Sequence, residues 1–396
     1  MGGAQPGAER PSNFRVAFAG GGTGGHIYPA LAIDDAIRAE YDAAHYEPRF
    51  FGNREGLEAQ LVTTMPLTFV PSAALQRKLS LRTLATMWRN LIGIFVALGA
   101  LRAFQPVMVV ATGGYVCFPV VVAARILRML GLLRCGIALL EINVQPGLTN
   151  RLLAPIVDEV WTSYDASARY FRGKAHRTGA PVRASLTRKI NPSRARLELG
   201  LAPERTTIVA MGGSLGARSI NEAVAALVTR RTLGDDRQVL HVSGERDHAY
   251  MEAEERDVGV NHVMLVPYLA DPANAYAAAD VVIARAGAST LAELAATGTP
   301  SILVPYPHHT DNHQVSNAAV FADCGAAIVL ADAELDGDRL WWALDAIVRP
   351  ERLAAMRAAA ASLAGVDVGR TIVSRIEFLM PARVVDSAEA NGPERE

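Results

Sequence analysis

The chain has 396 residues, of which 50% are hydrophobic and 20% charged, and its formal net charge is −1. This length exceeds what one hydrophobic core usually serves, so we expect two domains. The composition excludes a mainly disordered chain, and the balanced charge argues against a nucleic-acid partner. The three cysteines are far apart and form no CxxC pair, which predicts free, buried thiols in a reducing compartment: Cys117, Cys135 and Cys324.

In chain order, apolar runs of strand length alternate with helical patterns. We predict ten strands, at residues 14–19, 46–51, 107–111, 136–140, 159–162, 206–211, 238–242, 262–266, 281–284 and 301–304. Such alternation is typical of parallel sheets flanked by helices. The predicted class is therefore α/β, with two Rossmann-like doubly wound domains facing across a cleft and ligands at the carboxyl ends of the strands. The proline-containing segment 181–203 is the predicted linker.

Two glycine-rich turns lie at matching places in the two halves of the chain, each between a predicted strand and a predicted helix. The first is Gly20 to His26 and the second is Gly212 to Ala217. A glycine-rich turn at a helix N-terminus lets backbone N–H groups approach an anion, and the helix dipole favours negative charge there. The duplication predicts two phosphate-bearing ligands, or one ligand between two domains.

The first turn also contains a GxGxxG pattern, in Gly20, Gly22 and Gly25, which fits a nicotinamide-dependent dehydrogenase. That fingerprint requires an acidic residue near the end of the second strand to hold the ribose. This chain has Asn53 and Arg54 there. Arg54 would suit a 2′-phosphate, so the dehydrogenase stays an alternative at this point.

A long stretch of the first half is basic and free of acidic residues. No Asp or Glu occurs from Ala59 to Leu140, and the basic residues there punctuate apolar helical runs: Arg77, Lys78, Arg82, Arg89, Arg102, Arg125, Arg128 and Arg134. We predict a basic rim around an apolar surface, suited to an anionic membrane. The run 91–101 is shorter than the roughly 20 residues a spanning helix needs, and the N-terminus lacks a signal-peptide pattern. Peripheral attachment is therefore favoured, with an ordinary core helix as the alternative.

Six motifs occur in a fixed order between Phe14 and about Leu379. They are Gly21-Gly22-Thr23-Gly24-Gly25-His26, Ala111-Thr112-Gly113-Gly114-Tyr115, Gln145-Pro146-Gly147-Leu148-Thr149-Asn150, Gly212-Gly213-Ser214-Leu215-Gly216-Ala217-Arg218, Arg285-Ala286-Gly287-Ala288-Ser289-Thr290-Leu291-Ala292-Glu293 and Asp311-Asn312-His313-Gln314. As an ordered set they resemble the MurG family of glycosyltransferases, family 28, which have the GT-B fold.

This resemblance implies an enzyme that moves N-acetylglucosamine (GlcNAc), with inversion, from UDP-GlcNAc to the C4 hydroxyl of the muramoyl sugar of lipid I, an undecaprenyl-diphosphate-linked acceptor. The product would be lipid II for peptidoglycan, and hence for cell-wall biogenesis, cell shape and cell division. It implies a peripheral location at the cytoplasmic face of the cell membrane, with cell-wall synthesis proteins as further partners. No cofactor is expected, and without a DxD motif in a strand-end loop no metal ion is expected either.

The resemblance also implies site residues. The donor UDP-GlcNAc would be bound by Thr23, Gly24, Gly25, Asn143, Arg183, Ser214, Leu269, Ala288, Ser289, Thr290, Leu291, Ala292, Glu293 and Gln314. The acceptor would be bound by Gly22, Gly113, Gly114, Tyr115 and Glu141. Backbone N–H groups and the Ser214 hydroxyl would meet the diphosphate, and Arg183 would supply the charge that a metal supplies elsewhere.

His26 is the candidate general base, because its ordinary pKa lies near working pH and it sits just inside the helix that follows the turn. Ala217 occupies the equivalent place in the second turn. The alternatives are that His26 only caps or packs against the helix start, or that it binds an acceptor phosphate.

For the donor, Glu293 matches the family residue that holds the ribose hydroxyls, although Thr290 to Glu293 also has capping-box spacing. Gln314 and Asn143 are expected to contact the sugar, with a turn role as the alternative for Asn143.

Three residues depart from the family pattern. Leu140 and Ile142 are aliphatic where a His and a Gln are usual around the Glu, and Ala180 stands where Asn is common. A related GT-B transferase with another lipid-linked or glycolipid acceptor therefore stays open. So do a UDP-GlcNAc epimerase and a nucleotide-sugar-binding scaffold.

The predicted domains are an N-terminal acceptor and membrane-facing domain at 13–183, a UDP-sugar domain at 184–350, and C-terminal helices at 351–380 that return to the first domain. Residues 1–12 and 381–396 are predicted to be disordered tails.

Overall fold

The computed structural model describes residues 14–74, 81–213, 216–230, 233–255, 262–307 and 312–381. Ser214 lies outside these described residues, as do Arg77, Lys78, the predicted tail 1–12, and all of the predicted tail 381–396 except Pro381.

The first unit contains a seven-stranded parallel sheet. Its strands are β1 (Phe14–Gly20), β2 (Tyr46–Gly52), β3 (Leu67–Phe69), β4 (Met108–Gly113), β5 (Gly136–Glu141), β6 (Glu159–Thr162) and β7 (Ala175–Arg177). The helices between them are α1 (Gly24–Glu40), α2 (Glu58–Leu61), α3 (Leu81–Phe104), α4 (Cys117–Met129) and α5 (Leu148–Leu153), with short 3₁₀ turns at Ala154–Ile156 and Asp165–Tyr170. The spatial order is β3-β2-β1-β4-β5-β6-β7.

The second unit contains a six-stranded parallel sheet. Its strands are β8 (Thr206–Met211), β9 (Arg237–Val242), β10 (Val263–Val266), β11 (Val281–Ala284), β12 (Ser301–Leu303) and β13 (Ala327–Val329). Its helices are α6 (Pro192–Glu198), α7 (Arg218–Arg230), α8 (His248–Glu254), α9 (Ala273–Ala278), α10 (Ala288–Thr297), α11 (His313–Asp323), α12 (Gly337–Ile347) and α13 (Pro350–Ser362), with 3₁₀ turns at Ala184–Thr187 and Asp332–Glu334. The order is β10-β9-β8-β11-β12-β13.

Both sheets therefore share one topology, in which the first strand lies between the second and the fourth. The direction of strand addition reverses beside β1 and again beside β8, and such switch points open a crevice at the carboxyl ends of the strands. Each glycine-rich turn follows one of these two strands. The predicted fold class, two Rossmann-like doubly wound units, is confirmed.

The inner strands are largely buried on both faces, which explains their nearly continuous apolar sequences. In β1, Val16 and Phe18 pack with residues of α1, whereas Ala17 and Ala19 pack with residues of α3 and α4. All ten predicted strands are present. The three that were missed, β3, β7 and β13, are three-residue strands, and each lies at the edge of its sheet.

The chain passes between the units twice. The first passage is the segment that joins β7 to β8. The second follows α13, whose Met356 packs in the core of the second unit. The last helix, α14 (Val368–Leu379), buries Ile372 and Ile376 in the core of the first unit.

Among the three free cysteines, Cys117 and Cys135 are buried as predicted, but Cys324 is exposed. The prediction was wrong there because Cys324 caps the C-terminal end of α11, outside the core.

Candidate active site

Two helix N-termini meet across the cleft between the units. Helix α1 begins after Thr23 and α10 begins after Gly287; neither end has a side-chain cap or an acidic residue in its first turn. The hydroxyl of Ser289 at the start of α10 donates to the carbonyl of Gly25 at 3.3 Å. Helix N-termini without side-chain caps present free N–H groups and a positive dipole end, so this junction is suited to bind an anion.

His26 lies against the glycine pair at the end of β4. Gly113 and Gly114 have φ angles of 115° and 83°, and a Cβ on Gly113 would lie 2.5 Å from His26 Nδ1. The Thr112 hydroxyl donates to the His26 carbonyl at 2.6 Å. The sequence Thr-Gly-Gly thus shapes the pocket in which the imidazole sits.

This packing affects the protonation state of the His26 imidazole. Nδ1 of His26 is buried and has no hydrogen-bond partner among the described residues. Burial lowers the pKa of His26 from its ordinary value of 6.5, and the nearby Thr112 backbone opposes that shift. The lowered pKa favours the neutral imidazole, which is the form that a general base needs. Helix capping does not account for the position of His26, because Thr23 is the N-cap residue of α1.

A buried carboxylate that the sequence reading missed lies under the first glycine turn. Glu58 Oε1 accepts from the backbone N–H groups of Gly22 and Asn53, each at 3.2 Å. A Cβ on Gly22 would lie 2.8 Å from the Tyr115 ring. The Gly22 N–H is thus already occupied, so Gly22 serves the site mainly by leaving room for Tyr115.

The side chain of Asn53, just after β2, forms hydrogen bonds within the protein. This counts against the ribose contact that a dehydrogenase would need there. Asn53 donates through Nδ2 to the Ser72 carbonyl at 3.3 Å and to the Tyr115 hydroxyl at 3.4 Å. The Arg54 guanidinium lies over the Phe69 ring, 5.3 Å from its centroid. The buried Asn53 side chain is therefore not free to hold a ribose, whereas the Arg54 side chain is exposed.

On the opposite side of the cleft, Arg183 and Glu293 form an ion pair, with Nη2 and Oε1 3.2 Å apart. Tyr276 donates to the second oxygen of Glu293 at 2.8 Å. The Arg183 guanidinium lies 4.5 Å from the Tyr28 ring centroid, which joins this group to α1. Burial raises the pKa of Glu293, and the neighbouring Arg183 opposes that shift. The capping-box alternative is wrong, since α10 begins at Ala288 and Thr290 is inside the helix.

Glu141 organises the loop after β5. Its buried carboxylate accepts from Asn143 N and Nδ2, each at 2.9 Å, from Gly147 N at 3.0 Å and from Asn150 Nδ2 at 2.9 Å. Burial raises its pKa, and these hydrogen bonds oppose the shift. The geometry gives Glu141 the role of holding Asn143; direct contact of Glu141 with the acceptor stays a prediction.

The other predicted residues divide between surface and core. Gln314 accepts from the Tyr306 backbone N–H at 2.9 Å, and Ala288 packs against the core of the first unit, across the cleft. Leu269 packs against the core of the second unit, Leu291 is fully buried, and Thr23 is exposed. The structure therefore brings together His26, Gly25 and Ser289, with Arg183 and Glu293 linked to α1 through Tyr28.

An apolar surface lies on the first unit, on α3 and the end of α4. Its exposed residues follow helical spacing on α3 and continue after α4: Leu84, Met87, Trp88, Leu91, Ile92, Phe95, Val96, Met129, Leu130 and Leu132. We call these ten residues the α3–α4 surface. Trp88 is 66% exposed and Phe95 65%. The opposite face of α3 packs in the core through Ala97, Leu101 and Phe104, so the core-helix alternative holds for one face only.

Two facing Rossmann-type units, with the N-termini of α1 and α10 meeting at the cleft, define the GT-B fold. Two family profiles match the chain: the glycosyltransferase family 28 N-terminal domain over residues 16–162 and the C-terminal domain of that family over residues 207–369. The chain belongs to glycosyltransferase family 28.

Curated relatives support this membership over nearly the whole chain. Proteins of Desulforamulus reducens and Moorella thermoacetica are both named UDP-N-acetylglucosamine--N-acetylmuramyl-(pentapeptide) pyrophosphoryl-undecaprenol N-acetylglucosamine transferase. The first is 35% identical over 380 residues, covering 93% of this chain and 99% of the relative. The second is 40% identical over 360 residues, covering 88% and 95%.

Solved structures agree on the fold. The crystal structure of MurG from Acinetobacter baumannii matches with a TM-score of 0.70 at 23% identity, covering 92% of this chain and 99% of that one. The structure of MnaA from S. aureus with UDP matches with a TM-score of 0.64 at 14% identity, covering 92% and 96%. At these identities the likeness is evidence for the fold alone.

Proposed function

We propose that this chain transfers GlcNAc from UDP-GlcNAc to the C4 hydroxyl of the muramoyl sugar of an undecaprenyl-diphosphate-linked acceptor, with inversion. The observation that carries the proposal is the junction of α1 and α10 at Gly25 and Ser289, beside which the half-buried His26 imidazole packs against Gly113 and Gly114. The names of the curated relatives support this donor and this acceptor.

The chemistry follows from these positions. The acceptor oxygen attacks the anomeric carbon of the donor sugar, its proton passes to the His26 imidazole, and the bond to the diphosphate oxygen breaks with its electron pair leaving on UDP. The N–H groups at the starts of α1 and α10, together with Arg183, stabilise the negative charge that develops on the diphosphate. Glu293 holds the ribose hydroxyls, and the domains position donor and acceptor in line.

The α3–α4 surface supports a lipid-linked acceptor and peripheral attachment at the cytoplasmic face of the membrane. The run 91–101 belongs to a longer helix, and by length and composition alone Leu84–Phe104 would suffice to cross a membrane, so the shortness of that run does not exclude spanning. A better reason against spanning is that one face of α3 is core of the first unit. Arg102 and Arg134 are exposed near this surface and form no ion pair with a described residue, so they are placed to meet anionic headgroups.

Incubation with labelled UDP-GlcNAc, with and without a lipid I analogue and with EDTA present throughout, tests the proposal. We expect label on the lipid only when the acceptor is present. Label that stays on the nucleotide while its sugar changes configuration would indicate an epimerase. Binding of UDP-GlcNAc with neither outcome would indicate another acceptor or a scaffold, and binding of NAD(P) without UDP would indicate a dehydrogenase.

The pH dependence of transfer should have an acid limb set by His26. Protonation removes the base, and burial places the pKa of His26 below 6.5. We therefore expect kcat/KM for the acceptor to be level between about pH 7 and 8 and to fall on acidification with a midpoint below 6.5. A pH–rate profile checks this, and a midpoint above 7 would contradict it.

Replacing Glu293 with alanine should weaken UDP binding. A ribose held by a carboxylate loses charge-assisted hydrogen bonds, each worth about 1.5–3 kcal/mol, so the Kd for UDP should rise roughly 10- to 100-fold. Titration calorimetry measures this, with the exposed Glu252 on α8 replaced by alanine as the control. A change below twofold would make Glu293 only a structural partner of Arg183.

A further inference from the structure

The loop after β5 reaches across the cleft to one face of α11. Asn317 Nδ2 donates to Asn143 Oδ1 at 3.1 Å, and Val144 N donates to Asn317 Oδ1 at 3.0 Å. Beside them, Gln145 Nε2 donates to Ser316 Oγ at 2.7 Å, and His313 Nδ1 lies 2.8 Å from the Gln145 carbonyl oxygen. The loop belongs to the first unit and α11 to the second, so these contacts join the two units across the cleft.

The Asn143 amide is held from both units at once. Its nitrogen donates to Glu141 Oε1, in its own unit, at 2.9 Å, while its oxygen accepts from Asn317 in the other. This fixes the orientation of the amide and leaves one N–H and one oxygen lone pair free. A sugar hydroxyl, which donates and accepts, meets both groups only when the amide keeps this orientation.

Asn317 is suited to this task because its own hydrogen bonds define which way it points. It is fully buried, its oxygen accepts from Val144, and its nitrogen also lies 3.5 Å from the Ala286 carbonyl in the loop before α10. The bond from Val144 crosses the cleft, whereas the contact with Ala286 lies within the second unit. Asn317 therefore links the loop of the sugar-contact residue to the loop that begins the donor helix.

We infer that Asn317 is a positioning residue for donor-sugar recognition: it orients the Asn143 amide from across the cleft between the units. The inference rests on the proposed function together with the expected contact of Asn143 with the GlcNAc group. Glu141 holds the Asn143 amide from the first unit, and this role accounts for the hydrogen bonds that its carboxylate accepts from the loop.

Asn317→Asp tests the inference, because the variant keeps an oxygen for the Val144 N–H but has no N–H for Asn143. Calorimetry with UDP and with UDP-GlcNAc, and kinetics with UDP-GlcNAc and its epimer UDP-GalNAc, are the measurements. We expect the Kd for UDP to stay within about twofold, the additional affinity from the sugar to fall roughly tenfold, and discrimination between the two donors to narrow by a similar factor.

Ser316→Ala is the matched control, since it removes a neighbouring cross-cleft hydrogen bond that does not involve Asn143. The ratio of UDP-GlcNAc to UDP affinity should be unchanged in it. Wild-type discrimination in Asn317→Asp, or an equal loss of UDP and UDP-GlcNAc affinity, would overturn the inference. If thermal melting shows that the Asp variant is unfolded, the neutral Asn317→Ala is assessed by the same criteria.

Failure of the proposed function has a different signature. In that case the wild-type protein itself would transfer no GlcNAc and gain no affinity from the sugar. Wild-type transfer with indistinguishable variants would overturn the role of Asn317 alone.

Discussion

Replacing His26 with alanine is expected to lower kcat by roughly 10²- to 10⁴-fold, the range that general-base catalysis contributes. UDP-GlcNAc affinity should change little, because the groups assigned to the diphosphate and ribose are the helix N-termini, Arg183 and Glu293. Gly113 and Gly114 form the pocket around the imidazole. Replacing His26 with alanine therefore leaves this pocket empty and introduces no steric clash. Steady-state kinetics with calorimetry of donor binding measures both quantities.

A control variant and rescue by imidazole show whether the loss of activity comes from loss of the base. His176→Ala, on β7 with the side chain 42% exposed, should retain full activity, and added imidazole should restore part of the rate of His26→Ala. A raised KM for the acceptor with kcat unchanged would instead indicate that His26 binds a phosphate of the acceptor. Retention of more than a tenth of the wild-type kcat would contradict its role as base.

The second large effect concerns the α3–α4 surface. Replacing Trp88 and Phe95 together with glutamate should lower partitioning onto anionic vesicles by about 100-fold or more. Each large apolar side chain gains about 1.5–3 kcal/mol when it leaves water, and two acidic groups add repulsion from the anionic headgroups. Both residues are about two-thirds exposed, so the fold should tolerate the change. Vesicle co-sedimentation is the measurement.

Trp342→Glu is the matched control, because Trp342 is 63% exposed but lies on α12 of the second unit. It should sediment with vesicles as the wild type does. The double variant should also transfer GlcNAc normally to a water-soluble acceptor analogue, which separates attachment from chemistry. Undiminished vesicle binding by the double variant would contradict membrane attachment through this surface.

The fold was largely predictable because short stretches of sequence mark its strands and turns. Strands buried on both faces give continuous apolar runs, and the strands β6, β8 and β11 were predicted at their observed bounds. Short edge strands give no such signal: Ala175–Arg177 is paired only because β6 lies beside it. The two glycine turns were visible for the same local reason, since each joins a buried strand to a helix.

Site residues that belong to a sequence motif could be predicted, whereas contacts between residues far apart in the sequence could not. Nothing in the sequence pairs Glu58 with the backbone of Gly22, 36 residues away, or Asn317 with Asn143, 174 residues away. Tyr28 had a weak local signal, two residues after His26 on the same helix. Glu141 was assigned from its motif, and the hydrogen bonds that its carboxylate accepts from the loop after β5 were not predicted; its contact with the acceptor stays a prediction.

The configuration of the new glycosidic bond tests the central claim most directly. Attack of the acceptor oxygen in line with the departing diphosphate inverts the anomeric carbon, so the α-linked GlcNAc of the donor should become β-linked on the muramoyl C4 oxygen. Proton NMR of the product made from a lipid I analogue measures this through the anomeric coupling constant. A β-linked disaccharide is the predicted result; an α-linked product, or a bond at another hydroxyl, would contradict the account.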